Sequence, residues 1–427
     1  MELSQFKNYI LKNLFTGMMK TILSLILSVV SIPIIISNIG IGNYGIISII
    51  TVFSSFTGMI DLGLSKGLIV FQLEKKDSAK EISAIYLINL CLFFLFFLLS
   101  ILIYVFDINL MGENLEIGKT ELRLINCISV MTLSFGIFNN LLRASLEANF
   151  KLQLLNWGFL LQAFIINLGW LVLAIYNANI ILFLFVPLVS TITVICYHLF
   201  LLPPIYTLLK KPDRRSLKNV FNITLQFFKV GALNSLHLPI IKYLIIYLIG
   251  DNRSIGIFEL STKLALLANT LLSYVSNPFF SIVSKHKEKS EMYLWIITKK
   301  VTYLLICITL GGYIIFLILN NFLITYFFNE YTDQIFKVLN MTVIGYLLIA
   351  ASESVQKYFL GLGRMNLVAK VKFSGIIINL AIIIIFYNSD YFNLVNLSFA
   401  YAVSLAFIGV FWIIRLLANR NNLLNKI

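Results

Sequence analysis

Charge is scarce in this chain of 427 residues: Asp, Glu, Lys and Arg together make up 12%, while hydrophobic residues reach 59%. Soluble domains use about 25% and 45–50%. So few charges cannot clothe a water-soluble core of this size. Cysteine is scarce too. Cys91, Cys127, Cys196 and Cys307 fall inside apolar runs at unrelated spacings, which indicates neither a disulfide framework nor a metal site; they are expected to be packing residues. Only three histidines occur. No metal-ligand cluster, nucleophile constellation or nucleotide loop can be found, so neither an enzyme nor a cofactor is expected. Short alternating strands are lacking as well: the run Leu90 to Leu99 alternates nothing, which argues against a β-barrel.

What is abundant is apolar sequence in long blocks. About 20 apolar residues cross roughly 30 Å of hydrocarbon as a helix, and twelve such blocks are present. They lie near Leu14–Ile36, Tyr44–Phe71, Ile82–Phe106, Thr120–Leu146, Leu152–Tyr176, Ile180–Leu202, Val220–Ile249, Ile255–Ser284, Lys299–Leu319, Asp333–Leu360, Leu367–Tyr387 and Leu394–Leu417. The first is too long for a signal-peptide core, and no small-residue cleavage pattern follows it. It is expected to be retained.

Lys and Arg crowd into every second connection. One set holds Lys75, Lys76 and Lys80, then Lys151, then Lys210, Lys211, Arg214, Arg215 and Lys218, then Lys285, Lys287 and Lys289, then Arg364 and Lys370. The alternate connections are nearly empty of both. By the positive-inside rule the basic set, and both termini with it, is cytoplasmic. The net charge of +14 is therefore read as a topology signal and a fit to anionic lipid headgroups, with no nucleic-acid binding expected.

The basic connection Pro203–Asn219 separates two similar halves. Asn38-Ile39-Gly40 followed by Tyr44-Gly45-Ile46 is echoed by Leu248-Ile249-Gly250 followed by Ile255-Gly256-Ile257. In each half one glycine closes the odd helix and a second opens the even one. More loosely, Glu147-Ala148-Asn149-Phe150-Lys151 sits where Leu360-Gly361-Leu362-Gly363-Arg364 sits later. The expected fold is an all-α integral membrane protein. Twelve transmembrane helices form two pseudo-symmetric six-helix lobes, 1–202 and 220–427, joined by a linker at 203–219 around a central cavity.

The string Ile39-Gly40-Ile41-Gly42-Asn43-Tyr44-Gly45-Ile46, with Asp61-Leu62-Gly63-Leu64 ending the same helix, resembles the start of Wzx-type polysaccharide flippases. Gly361-Leu362-Gly363-Arg364 is similar to that family as well. These belong to the superfamily of multidrug, oligosaccharidyl-lipid and polysaccharide exporters. The resemblance implies a flippase of a bacterial inner membrane, carrying polyprenyl-pyrophosphate-linked oligosaccharide repeat units outward by alternating access. It also implies H+ or Na+ coupling, and glycan polymerase and chain-length proteins as partners. A multidrug or cation antiporter of related fold is the alternative. A membrane glycan polymerase or ligase is a third reading, disfavoured by the short outer connections.

Ionisable residues inside spans cost several kcal/mol and usually face a cavity or a partner. Lys242 and Lys263 are each placed roughly 10–12 Å below the outer surface at 1.5 Å per residue. Where the seventh and eighth helices line the cavity, as the resemblance implies, both would offer a positive belt to a pyrophosphate. Lys20 and Lys229 occupy near-equivalent places in the two halves, with snorkelling to the headgroups as the other reading. Glu259 with Lys263, Glu353 with Lys357 and Arg143 with Glu147 have the spacing of intrahelical pairs. Glu259, Asp61, His237 and Glu353 are the candidates for ion coupling; for Asp61 the simpler role is to cap or orient a turn. Pro33 and Pro239 each remove a helix hydrogen bond and are the candidate hinges. Asn167, Asn234, Asn269, Asn379, Tyr243, Tyr247, Tyr274 and Trp170 offer groups that suit sugars or helix interfaces equally.

Overall fold

In a computed structural model, residues 3–74, 78–110, 118–149, 151–202, 210–286, 291–327, 332–389 and 391–424 are described. Lys75, Lys76, Lys287, Lys289 and 203–209 of the expected linker lie outside the described residues, as do the side chains of Asn234, Tyr274 and Lys285. The described chain is helical throughout. Its elements are α1 (Leu3–Ser55), α2 (Thr57–Ile60), α3 (Leu64–Glu74), α4 (Ala79–Val105), α5 (Lys119–Ala148), α6 (Leu152–Ile175) and α7 (Ile180–Leu201). Then follow α8 (Arg214–Leu244) with a π-turn at Ile245–Ile249, α9 (Asn252–His286), α10 (Glu291–Phe327), α11 (Thr332–Gly361), α12 (Met365–Tyr387) and α13 (Leu394–Leu424). Among the described residues, ten helices have the length and composition to cross a membrane. The twelve expected spans fall on these helices; the first lies on α1, which is broken where Gly40 adopts φ 79° and ψ 157°, and the second runs from α1 through α2 into α3.

The second span departs from expectation. It is interrupted at Asp61-Leu62-Gly63, where Leu62 and Gly63 both have positive φ (52° and 76°). The Asp61 carboxylate accepts from Ser65 N at 3.1 Å and Ser65 Oγ at 2.8 Å, holding the first turn of α3. The turn runs so close to α8 that a Cβ at Gly63 would lie 2.9 Å from Phe228 N. Hydropathy continues across this interruption, so a window average does not register it.

Packing divides the chain into a unit Phe15–Gly256 and a unit Ile257–Ile427 with Met1–Leu14. Within the first, α5 packs against α3, α4, α6 and α7. Leu64, Leu68 and Phe71 of α3 meet Ile85 and Tyr86 of α4, Leu141 and Ala144 of α5 and Val220 of α8 in one core. A second core joins Leu142 and Leu146 of α5 to Leu155 of α6 and Ile195 of α7. Small hydroxyls stitch these helices together, as when Ser134 Oγ donates to Phe93 O at 2.7 Å. In the second unit α11 is central and packs against α10, α12 and α13. Ser354 and Thr302 share a hydroxyl bond of 2.7 Å, and a Cβ at Gly345 would lie 3.0 Å from Ala402 O. Small residues and hydroxyls at the crossings are how helices associate when apolar surface alone supplies no drive.

The faces turned outward are apolar: Phe94, Leu95 and Leu98 on α4, Ile314 and Ile318 on α10, and Ile384 and Ile385 on α12 are all exposed. Such surface suits lipid, since a water-facing helix would be polar there. Cys91, Cys196 and Cys307 are also exposed and Cys127 is half-buried. This corrects the expectation that the cysteines pack inside: three of them stand on outer faces, where a small apolar thiol is tolerated in lipid.

Candidate functional site

The unit Phe15–Gly256 places two cations on one aromatic ring. Lys20 of α1 sets its Nζ 3.9 Å from the centroid of Phe159, and Arg143 of α5 sets its guanidinium carbon 4.1 Å from the same centroid. Arg143 also donates to Gln162 Oε1 at 2.6 Å. Phe159 and Gln162 lie one turn apart on α6, so ring and amide share a face. Lys20 and Arg143 are close enough to repel one another. The Nε–H of Arg143 is buried and meets no acceptor among the described residues. One turn before Lys20, Thr16 accepts from Asn156 Nδ2 at 3.0 Å, and a groove there is lined by Thr16, Met19, Lys20, Asn156, Trp157 and Leu160.

Arg143 is the residue that sequence reasoning missed. Its spacing to Glu147 suggested an intrahelical pair, but Glu147 instead meets Lys66 Nζ at 3.6 Å, which corrects that expectation. The long side chain reaches α6, where the guanidinium meets a ring face and one amide oxygen. The usable signal was an arginine inside an apolar run with aromatic residues in the following span.

Other expected residues are scattered. Lys242 is buried at 4% exposure and lies three residues beyond Pro239 on α8. Lys263 is half-buried on α9. Lys229 is exposed, unlike its counterpart Lys20. Asp61 is buried and serves the turn described above, and His237 is buried on α8. Pro33 lies within α1 before the break at Gly40. Glu353 and Lys357 do pair, at 3.5 Å, with Lys372 of α12 close enough to feel both. Glu259 is buried near Tyr346, whose hydroxyl shares a 2.8 Å bond with that of Tyr401.

Several amides and rings belong to helix interfaces. Asn167 Oδ1 accepts from Ser31 at 3.1 Å and Ser28 at 3.4 Å, tying α6 to α1. Trp170 Nε1 donates to Phe183 O at 3.0 Å, tying α6 to α7. Tyr243 donates to Leu110 O at 2.6 Å, while Tyr247 is exposed, Asn269 half-buried and Asn379 buried. His198 of α7, unremarked in the sequence, is fully buried with Nδ1 2.8 Å from Asn139 Oδ1. No group of three or more His, Cys, Asp or Glu converges among the described residues.

Neither a protein-family profile nor a curated protein matches the sequence. Solved structures do match. An inward-facing multidrug resistance MATE family transporter of the MOP superfamily superposes with a TM-score of 0.72 at 12% identity, over 94% of this chain and 99% of that one. An outward-facing conformation of a multidrug resistance MATE family transporter gives 0.69 at 14% identity, over 97% of each chain. A MOP superfamily transporter from Pyrococcus furiosus, described as having a binding pocket of reversed polarity that suggests a different function, gives 0.66 at 13%, over 97% of this chain and 96% of that one. At these identities the likeness establishes the fold: an all-helical, two-lobed, twelve-helix membrane architecture shared with MATE transporters of the MOP superfamily.

Proposed function

We propose that this chain is a membrane transporter working by alternating access, and that its cargo presents an anionic group. The observation that carries the reading is the cluster of Lys20, Phe159, Arg143 and Gln162. Two cations held on one ring in a low-dielectric setting repel, and a buried guanidinium N–H without an acceptor costs about 1–3 kcal/mol or more. A phosphate or pyrophosphate would relieve both at once, with charge-assisted bonds to Arg143 and a point-charge contact to Lys20. Taken with the flippase-like motifs, the specific cargo is a polyprenyl-pyrophosphate-linked oligosaccharide repeat unit moved from the cytoplasmic to the outer leaflet. Lys242 and Lys263 are assigned secondary roles along the path, because Lys242 is buried in this structure. The reading includes no covalent chemistry. Placement in a bacterial inner membrane with both termini inside, coupling to H+ or Na+, and cooperation with a glycan polymerase and chain-length proteins belong to it. Asp61, Glu259, His237 and Glu353 are the groups to test for coupling.

A second reading is favoured by the structural neighbours: two are multidrug resistance transporters, and the buried Glu259 near Tyr346 and Tyr401 would suit a cationic drug or an ion. One pair of assays separates the two. In a strain lacking this chain, lipid-linked repeat units should accumulate in the inner leaflet; wild type should clear them, and Arg143→Gln or Lys20→Gln should not. Energy-dependent efflux of ethidium without any change in lipid-linked intermediates would establish the antiporter instead.

A further inference from the structure

The groove beside Lys20 is flanked by exposed apolar surface. Phe15, Met19, Ile22, Ile26 and Val30 recur on α1 at helical spacing and are all exposed, forming an apolar stripe on that helix that suits lipid. Trp157, at 48% exposure, is the exposed wall contributed by α6. Met19, Trp157 and Leu160 line the groove together with Thr16, Asn156 and Lys20. A groove with exposed apolar rims and a lysine in its lining suits one amphiphile: an anion joined to acyl or prenyl chains.

Depth points the same way. The helix from Lys20 to the break at Gly40 rises roughly 30 Å at 1.5 Å per residue, about one hydrocarbon thickness. Asn156 stands one turn inside the start of α6 at Leu152. Lys20 and Asn156 therefore lie at the headgroup boundary of the membrane face that bears the basic connections, the depth at which lipid phosphates reside. Arg143 shares the Phe159 contact with Lys20.

We propose that the α1–α6 groove is a binding site for the phosphate headgroup of a lipid within the bilayer, with Lys20 as its charge contact and Trp157 beside the first carbons of the chains. All of its lining residues belong to the unit Phe15–Gly256. Thr16 and Asn156 border the phosphate oxygens, and Met19 and Leu160 line the chains.

Trp157 reports directly on occupancy, because Trp170, Trp295 and Trp412 are buried. In nanodiscs, the fluorescence difference between wild type and Trp157→Phe isolates its signal. Dibrominated phosphatidylglycerol should quench that signal about three-fold more strongly than dibrominated phosphatidylcholine, as expected for a preference of ~0.65 kcal/mol. Lys20→Gln should abolish the preference and Lys20→Arg should keep it, with unchanged melting temperatures. Equal quenching by the two lipids in wild type, or a preference untouched by Lys20→Gln, overturns the proposal. Competition identifies the source of the phosphate. Relief of quenching by polyprenyl pyrophosphate supports a lipid-phosphate site that also loads cargo, whereas no relief by any competitor supports a resident phospholipid. Relief by inorganic pyrophosphate at the same concentration overturns the lipid assignment in favour of a free anion. None of these readouts requires transport, so a chain that proves to export drugs leaves the test intact.

Discussion

Gly45 and Gly256 meet reciprocally. A Cβ on Gly45 would overlap the carbonyl oxygen of Asn252, and a Cβ on Gly256 would overlap the carbonyl oxygen of Ile41. The two glycines open corresponding helices of the internal repeat, so each copy of the motif lies against the other's backbone in a contact of two-fold character. Gly40 and Gly250, one turn or so earlier in each copy, both have positive φ (79° and 69°).

Alanine at either crossing glycine should therefore push two helices apart. Overpacking of this kind costs about 1–3 kcal/mol, and thermal unfolding in detergent should show a lowered midpoint for Gly45→Ala and for Gly256→Ala. Gly311→Ala and Gly312→Ala serve as controls: nothing lies within 4 Å of a Cβ at either position, and helix propensity predicts a gain of up to about 1 kcal/mol. A Gly45→Ala midpoint as high as that of the controls would contradict the crossing.

Gly158 should behave similarly for a different reason. A Cβ there would lie 2.5 Å from His198 Nε2, and His198 is pinned through Nδ1 to Asn139. Gly158→Ala is expected to cost about 1–3 kcal/mol. His198→Ala should be destabilising alone, but in the double mutant the two losses should be less than additive. Strict additivity would show that the two positions do not touch.

Arg143→Lys keeps the charge but loses the planar contact with Phe159 and the directed bond to Gln162. A charged hydrogen bond of about 1.5–3 kcal/mol corresponds to a loss of ten-fold or more. Clearance of inner-leaflet intermediates should slow by at least that factor at normal expression, while Glu147→Gln, which loses only an exposed ion pair with Lys66, should change it little.

Asp213 gives a pH dependence outside the membrane. It caps α8, accepting from Ser216 N at 2.7 Å and Ser216 Oγ at 2.6 Å, and Lys80 reaches it at 3.0 Å. The Ser216 bonds first and Lys80 second hold its carboxyl well below the ordinary value of 3.8. A carboxyl depressed in the folded state binds fewer protons there than when unfolded, so its contribution is complete above about pH 4 and fades as pH falls further. Asp213→Asn should flatten the acid side of a melting-temperature profile below pH 4 while leaving its neutral-to-alkaline shape unchanged. An unaltered acid limb would refute the cap.

Hydropathy alone located the spans, because each helix must satisfy its own backbone in lipid and so declares its length in consecutive apolar residues. The repeat glycines were legible for a related reason: a left-handed turn such as that at Gly250, and a close crossing such as that at Gly45, admit few other residues. Partners were not legible. Spacing along one helix offered Glu147 to Arg143, and only the packing of α5 against α6 supplied Phe159 and Gln162, since a long side chain chooses among all groups within its reach. The interruption at Asp61–Gly63 escaped for the same reason, because it is defined by the approach of α8 and the bonds of one carboxylate. Sequence thus determined a membrane-embedded helical chain and its internal duplication, through free energies that sum along the backbone. Tertiary structure decided which charges share a ring, because that depends on helix rotation and neighbours that no local window contains.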